Sequence, residues 1–145
     1  MKRNYTIAIA CIVFIIAACN NENKTKPQSL SELEKIAADT ANFTQIQWID
    51  SAKDFGTIKE GEVIEMKFKF KNIGTKPLFV LNVKAGCGCT SPDYTKEAIA
   101  PQQEGWVKGI FNSMNQKGMV NKNIQVTTNT SNKTISTLLF SGSVE

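Results

Sequence analysis

Hydrophobic and polar positions alternate most regularly between Val63 and Lys71. Charged residues in this stretch are interleaved with Ile64, Met66, Phe68 and Phe70. Successive side chains of a β-strand point to opposite faces, so one face meets a core and the other meets water. The pattern predicts a long antiparallel strand whose even-numbered residues lie in the core.

Shorter apolar runs predict further strands, at residues 46–49, 78–83, 106–112, 124–128 and 134–144. Turn-forming residues separate them, at residues 59–62, 72–77, 101–105 and 129–133. The run at 78–83 is apolar on both faces, which predicts a strand at the buried centre of a sheet. Six or seven short strands with turns between them predict an all-β, two-sheet sandwich of about 100 residues with little helix.

The amino terminus has the order of a signal peptide. Lys2 and Arg3 precede an apolar run at residues 7–16, and polar residues follow Cys19. A spanning helix needs about 20 apolar residues, so this run is too short to remain as an anchor. The segment Ile16–Cys19 resembles the bacterial lipoprotein box and predicts a signal peptide at 1–18 with a lipidated Cys19. The alternative is an ordinary signal peptide in which Cys19 is incidental.

Residues 19–43 are predicted to form a tether between the lipid and a domain at 44–145. Asn20, directly after the thiol, resembles lipoproteins passed on to the outer membrane; either face of that membrane is open. Ser29 and Glu32 have capping-box spacing, and one helical face carries Leu30, Leu33, Ile36 and Ala37. A short helix is therefore expected, either packed on the domain or frayed, with partner binding as the alternative.

Charge and composition narrow the function. The chain has 145 residues, 17 basic and 13 acidic, and no histidine. The basic residues are scattered among acids, which argues against nucleic-acid binding. Without histidine the chain lacks the commonest general base and metal ligand, so we expect no catalysis.

An ordered series of motifs resembles a known family. The series comprises Asp54–Ile58, Glu60–Gly61, Phe70–Gly74, Gly86–Thr90 and Ile99–Pro101. It is similar to the bacterial family named domain of unknown function 1573, whose lipoproteins are abundant in Bacteroidetes. The resemblance implies an immunoglobulin-like β-sandwich of about seven antiparallel strands, a fold that mostly serves in non-catalytic modules. The family tends to have glycine after the proline of the last motif, where this chain has Gln102.

Cys87 and Cys89 are the free thiols left if Cys11 is cleaved off and Cys19 is acylated. Three interpretations are open: a disulfide, a two-thiolate site for Cu(I) with possible help from Met114 and Met119, or two reduced cysteines that fill space.

A disulfide between Cys87 and Cys89 requires a bend. Strand residues two apart are separated by about 6.6 Å, whereas a disulfide needs Cβ atoms about 3.5–4.5 Å apart. We expect Gly88 to supply a positive φ and Gly86 to loosen the entry. The pair is thus predicted in an exposed loop just past Lys84, as a small ring that is easily reduced.

Two further sets of residues have alternative interpretations. Aromatic side chains at Trp48, Phe55, Trp106 and Phe111 belong either to the core or to a glycan platform. Thr40 and Ser51 lie in Asp-Thr-Ala and Asp-Ser-Ala triplets. These triplets resemble acceptors for O-glycosylation in Bacteroidetes.

The leading functional hypothesis is a lipid-anchored envelope module that binds an envelope protein or glycan by surface contact. It would be held on the membrane by its amino-terminal lipid. The alternative is a thiol redox or Cu(I)-handling protein that uses Cys87 and Cys89.

Cys19→Ser is expected to release the protein into the soluble envelope fraction or to leave it unprocessed, because the acceptor thiol is lost. Metabolic labelling with a fatty acid and membrane fractionation measure this. A variant that is lipid-labelled and membrane-bound like the parent would contradict anchoring through Cys19.

Overall fold

The computed structural model describes residues 29–145. A helix α1 (Leu30–Ala38) and a 3-10 turn (Thr40–Asn42) precede eight strands. These are β1 (Ile46–Trp48), β2 (Ala52–Ile58), β3 (Val63–Asn72), β4 (Val80–Ala85), β5 (Thr90–Tyr94), β6 (Glu104–Asn112), β7 (Gly118–Thr128) and β8 (Ile135–Val144). The signal peptide and Cys19 lie outside the described residues, within which no helix is long and apolar enough to cross a membrane.

The strands form two four-stranded sheets, which confirms the predicted two-sheet sandwich but gives eight strands where six or seven were expected. The first sheet has the order β1-β3-β6-β5, and the second has the order β2-β8-β7-β4. One pairing is not antiparallel: β2 runs parallel to β8, from Ala52 opposite Leu139 to Ile58 opposite Val144. The expectation of an entirely antiparallel sandwich is therefore wrong. Strand β1 pairs with β3 in the first sheet. After a short connection, the chain joins the edge of the second sheet as β2.

The register predicted for β3 is confirmed. Phe68 and Phe70 are completely buried and Met66 nearly so, whereas Lys67 and Lys69 between them are exposed. Ile64, near the start of the strand, is half-buried and packs against the core. Antiparallel pairing with β6 places the fully buried Val107 and Phe111 on the same inner face.

The strand at 78–83 is not at the centre of a sheet. Leu78 forms an isolated bridge with Ile99, and from Val80 the chain pairs with β7 as the edge strand β4. Its apolar residues on both faces reflect a segment that leaves one layer and enters the other. The sequence patterns did not reveal β5, whose Pro92 is tolerated because β5 also lies at an edge.

Two buried asparagines bind the backbone where the chain changes layers. Asn72 Nδ2 donates to the carbonyls of Ile99 (2.9 Å) and Lys76 (2.8 Å). Asn129 Nδ2 donates to the Pro77 carbonyl (3.1 Å), and its Oδ1 accepts from the Phe79 N–H (2.7 Å). Both crossing segments therefore keep their backbone groups paired away from water.

The turn after Pro101 contains an uncommon conformation. Gln102 has φ = 65°, in the left-handed region that favours glycine, and its N–H donates to the Asn72 carbonyl at 2.8 Å. This is the position at which the family tends to have glycine. The turn thus has a left-handed backbone at this position, although glutamine adopts that conformation less readily than glycine.

The short helix expected near Ser29 is confirmed. Ser29 Oγ accepts from the Glu32 N–H, and the Glu32 carboxylate accepts from the Ser29 N–H, which is a complete capping box. Leu33 and Ile36 are half-buried, whereas Leu30 is 80% exposed. The helix contacts β4 and contributes no fully buried residue to the core.

Phe68→Ala is expected to lower the free energy of unfolding by about 3–5 kcal/mol, because a fully buried ring would leave a cavity. Lys69→Ala, one position along on the exposed face, is expected to change it by less than about 0.5 kcal/mol. Urea unfolding of both variants measures the difference. Equal losses would contradict the register of β3.

Candidate functional site at the Cys87–Cys89 turn

The residues Gly86–Cys89 form the turn that joins β4, at the edge of the second sheet, to β5, at the edge of the first. Both ends of this turn are fixed by backbone hydrogen bonds. The Gly86 N–H donates to the Asn123 carbonyl on β7 (3.0 Å), and the Asn112 N–H at the end of β6 donates to the Cys89 carbonyl (3.0 Å). The predicted position just past the strand is confirmed, since β4 ends at Ala85.

The structure brings the two cysteines to disulfide distance. Their sulfur atoms are 2.18 Å apart and their Cα atoms 5.3 Å apart. The Cα separation is shorter than the approximately 6.6 Å of two strand steps, so the chain bends between them as expected. Whether the pair is oxidised in the cell envelope stays a prediction.

The prediction that Gly88 supplies a positive φ is wrong. Positive φ among the described glycines occurs at Gly56, Gly61 and Gly118 and at neither residue of the turn. The chain bends through the whole turn, so no single residue has to be left-handed. A Cβ at Gly88 would meet no atom within 4 Å, whereas one at Gly86 would lie 2.6 Å from Asn123 Oδ1. Gly88 therefore faces open space away from the rest of the chain.

The two sulfur atoms have different surroundings. Cys87 Sγ lies 3.6 Å from the hydroxyl of Thr90, the first residue of β5. Thr90 is only 5% exposed. Cys89 instead packs against the hydrophobic core. The sequence indicated the cysteines but not this hydroxyl, because Thr90 follows them at a position whose orientation depends on the pairing of β5 with β6.

The methionines considered as copper ligands do not join this turn. Met119 lies four residues from Asn123 along β7, a distance of about 13 Å. Met114 reaches instead over the β2–β3 turn, where its methyl group would be 3.7 Å from a Cβ at Gly61. Within residues 29–145, no three His, Cys, Asp or Glu residues are grouped for a metal. A Cu(I) site would have two thiolates as its ligands.

The four aromatic residues do not form one platform. Phe55 and Phe111 pack together in the core, with ring centroids 5.8 Å apart. Trp48 packs edge-on against Phe70 and its Nε1 donates to Ser136. Trp106 is half-buried on the outer face of the first sheet, where the cation of Lys67 lies 4.9 Å from its ring centroid.

The outer face of the first sheet is strongly charged around Trp106. Lys108 Nζ lies 5.7 Å from the Trp106 ring centroid and donates to Glu65 at 2.9 Å. This hydrogen bond raises the pKa of the Lys108 ammonium above its ordinary value. Lys69 and Lys71 extend the row of cations along β3.

The candidate glycosylation residues are accessible. Thr40 begins the 3-10 turn, and Ser51 lies in the connection between β1 and β2. Both are exposed. The Ser51 carbonyl accepts from the Leu139 N–H at 2.9 Å, so this residue lies on the sandwich itself. Glycan attachment at either hydroxyl stays a prediction.

The outer face of β7 and β8 is a second candidate site that sequence reasoning missed. Its outward residues carry no charge and pair across the two strands: Met119–Ser143, Asn121–Ser141, Asn123–Leu139, Gln125–Thr137 and Thr127–Ile135. Met119, Ile135 and Leu139 are 75%, 63% and 51% exposed. A shallow pocket of about 500 Å³ lies beside Leu139, between β2, β8 and β7. The sequence did contain a signal for this face, since every second residue along β7 and β8, on the outward side, is uncharged.

Comparisons with known proteins agree on the fold. A family model described as "Protein of unknown function (DUF1573)" matches residues 46–144. The chain is similar to a protein of unknown function from Porphyromonas gingivalis W83, with 13% identity and a TM-score of 0.61 over 72% of this chain and 48% of that one. It therefore spans about half the length of that protein. No curated protein matches the chain.

Two more solved structures share the architecture. VesB protease of Vibrio cholerae is 12% identical with a TM-score of 0.57, and the match covers 78% of this chain and 35% of that one. PapD-like domain 7 of human CEP192 is 12% identical with a TM-score of 0.55, over 97% of this chain and 98% of that one. At such low identities the likeness concerns the fold alone.

Proposed function

Because the chain belongs to the family described as protein of unknown function (DUF1573) and has an immunoglobulin-like sandwich, we propose that it is a non-catalytic module of the bacterial envelope. It is held at the outer membrane by a lipid on Cys19 and binds another envelope protein by surface contact. The observation that carries this proposal is the uncharged outer face of β7 and β8.

The composition of this face supports a protein partner. The central parts of protein interfaces are depleted in charge, and the outward residues of β7 and β8 carry none. The outer face of the first sheet carries rows of lysine instead, so the two surfaces of the sandwich differ in chemistry. The exposed side chains of Met119, Ile135 and Leu139 favour a partner with apolar side chains of its own, and the charged residues Lys53, Asp54 and Lys122 that line the neighbouring pocket favour polar contacts at the rim.

A glycan is the less favoured partner for this face. Aromatic rings present broad apolar faces against which a flat ligand can stack, and none of the outward residues of β7 and β8 is aromatic. Trp106, the half-buried tryptophan of the other outer face, lies among lysines.

A photo-crosslinking residue at Thr137, between Ile135 and Leu139 on this face, is expected to give a discrete protein adduct in cells that carry the full-length chain. Leu139→Asp should reduce that adduct more than tenfold, since about 1.4 kcal/mol corresponds to tenfold and a desolvated charge costs more. The same probe at Lys69 is the control on the opposite face. If the probes at Thr137 and Lys69 gave the same crosslinked products in the same amounts, binding through β7 and β8 would be contradicted.

A second function is favoured by the Cys87–Cys89 pair: we propose thiol–disulfide exchange at this turn. The sulfur atoms are at disulfide distance in an open turn, in line with an oxidising envelope. A bond that closes three residues contributes only about 1.6 kcal/mol on the chain-entropy model, about half the value for a 15-residue loop. So small a structural contribution favours a chemical role for the pair.

Thiol trapping tests the exchange function. Protein alkylated directly in the envelope and separated by mass is expected to show Cys87 and Cys89 protected, and to become fully alkylated after mild reduction. Two cysteines that are freely alkylated without reduction and without bound metal would leave only a packing role.

A further inference from the structure

The buried hydroxyl of Thr90 has an unusual hydrogen-bond partner. Thr90 is 5% exposed, and within residues 29–145 the hydrogen-bond partner of its Oγ1 is Cys87 Sγ, at 3.6 Å. Buried hydroxyls usually bond to oxygen or nitrogen, because neutral sulfur is a weak acceptor. A thiolate accepts a charge-assisted hydrogen bond, which is roughly twice as strong as a neutral one. The hydroxyl is thus placed to stabilise Cys87 as a thiolate more than as a neutral group.

Cys89 lies in an environment of the opposite kind. Its side chain packs against the hydrophobic core, and its backbone is fixed through the hydrogen bond from Asn112. Burial among apolar groups disfavours the charged form of a thiol and raises its pKa.

The charged side chains of the adjoining strands have other partners or are exposed. The adjoining strands carry Lys84 on β4, Asp93 on β5, Lys108 on β6 and Lys122 on β7. Within the described chain, Lys108 pairs with Glu65, Asp93 with Lys96, and Lys122 with Gln116. None of the four is hydrogen-bonded to either sulfur.

We propose that Cys87 is the cysteine that forms the mixed disulfide, and Cys89 the resolving cysteine, in thiol–disulfide exchange with a dithiol protein of the envelope. The proposal rests on the exchange function proposed above. Thr90 acts as a positioning residue that stabilises the Cys87 thiolate. Gly88, between the two cysteines, is exposed, and a Cβ there would meet no atom of the rest of the chain, so a partner can approach the turn at this point.

The exchange has two steps. A partner thiol loses its proton to water and its thiolate attacks Cys87 Sγ, so that a mixed disulfide forms, the Cys87–Cys89 bond breaks and Cys89 leaves as a thiolate that takes a proton from water. The second partner thiol then loses its proton to water and its thiolate attacks the partner sulfur of the mixed disulfide. That bond breaks, and Cys87 leaves as the thiolate that the Thr90 hydroxyl stabilises. The net result is a reduced Cys87–Cys89 pair and a partner disulfide, so two electrons have passed to the pair.

The test uses the full chain with Cys11 and Cys19 replaced by serine, so that the two cysteines of the turn are the remaining thiols. The probe is 5,5′-dithiobis(2-nitrobenzoic acid), a small aromatic disulfide. Cys89→Ser, which leaves Cys87, is expected to react at least about tenfold faster at neutral pH than Cys87→Ser, because one pKa unit is tenfold in thiolate fraction. Its alkylation midpoint with iodoacetamide should lie below the ordinary cysteine value of about 8.5.

Substitution of Thr90 separates its electrostatic role from packing. In the Cys89→Ser background, Thr90→Val keeps the shape and is expected to raise the alkylation midpoint of Cys87 by about one unit, because the charge-assisted hydrogen bond to the thiolate is lost. Thr90→Ser should restore it. Ser91→Ala, which removes an exposed hydroxyl from the next residue of β5, is the control and should leave the midpoint unchanged.

The outcomes distinguish this assignment from the exchange function itself. The assignment of roles is overturned if Cys89 reacts as fast as Cys87 or faster, or if Thr90→Val leaves the alkylation midpoint of Cys87 unchanged. In either case, a pair found oxidised in the envelope still supports the exchange function. A pair found reduced and freely alkylated in the envelope overturns the exchange function, whatever the relative reactivity of the two cysteines.

Discussion

The sandwich depends on keeping backbone groups paired where the chain passes from one layer to the other. Asn72 and Asn129 do this from fully buried positions, with side-chain bonds to the segments around Pro77 and Ile99. A buried polar group left without a partner costs about 1–3 kcal/mol. The backbone groups that Asn72 and Asn129 bind are concentrated at one end of the molecule. Without these two side chains, the segment that carries Leu78 and Val80 would leave buried backbone groups unpaired as it passes from one layer to the other.

The crossing also determines where the cysteines lie. Because the chain leaves Leu78 to pair with β7 and returns as β5, β4 and β5 are edges of different sheets. The turn between them must span the two layers at the end opposite the buried Asn72, next to the end of β6. Cys87 and Cys89 therefore occupy an accessible turn between two edges, while Thr90 directly after them is already inside the sandwich.

The two proposed functions use separate parts of this architecture. The uncharged face of β7 and β8 is formed by regular strands in the middle of a sheet, where antiparallel register holds the side chains in a fixed array. The cysteine turn lies between two sheet edges, where Gly88 is exposed and both cysteines are half-buried. A module that binds a partner through one surface and exchanges a disulfide at another is compatible with this separation.

Local patterns in the sequence determined the strand β3, the helix α1 and the position of the cysteine turn, because side-chain alternation, a capping box and glycine–cysteine spacing depend on residues close together in the chain. The proposal of a lipid on Cys19 also rests on sequence alone. Tertiary structure decided the parallel pairing of β2 with β8, the edge position of β4 and the contact of Thr90 with Cys87. Residues such as Ala52 and Leu139 are remote in sequence, and their pairing depends on how the whole chain buries its apolar faces, which no local period encodes.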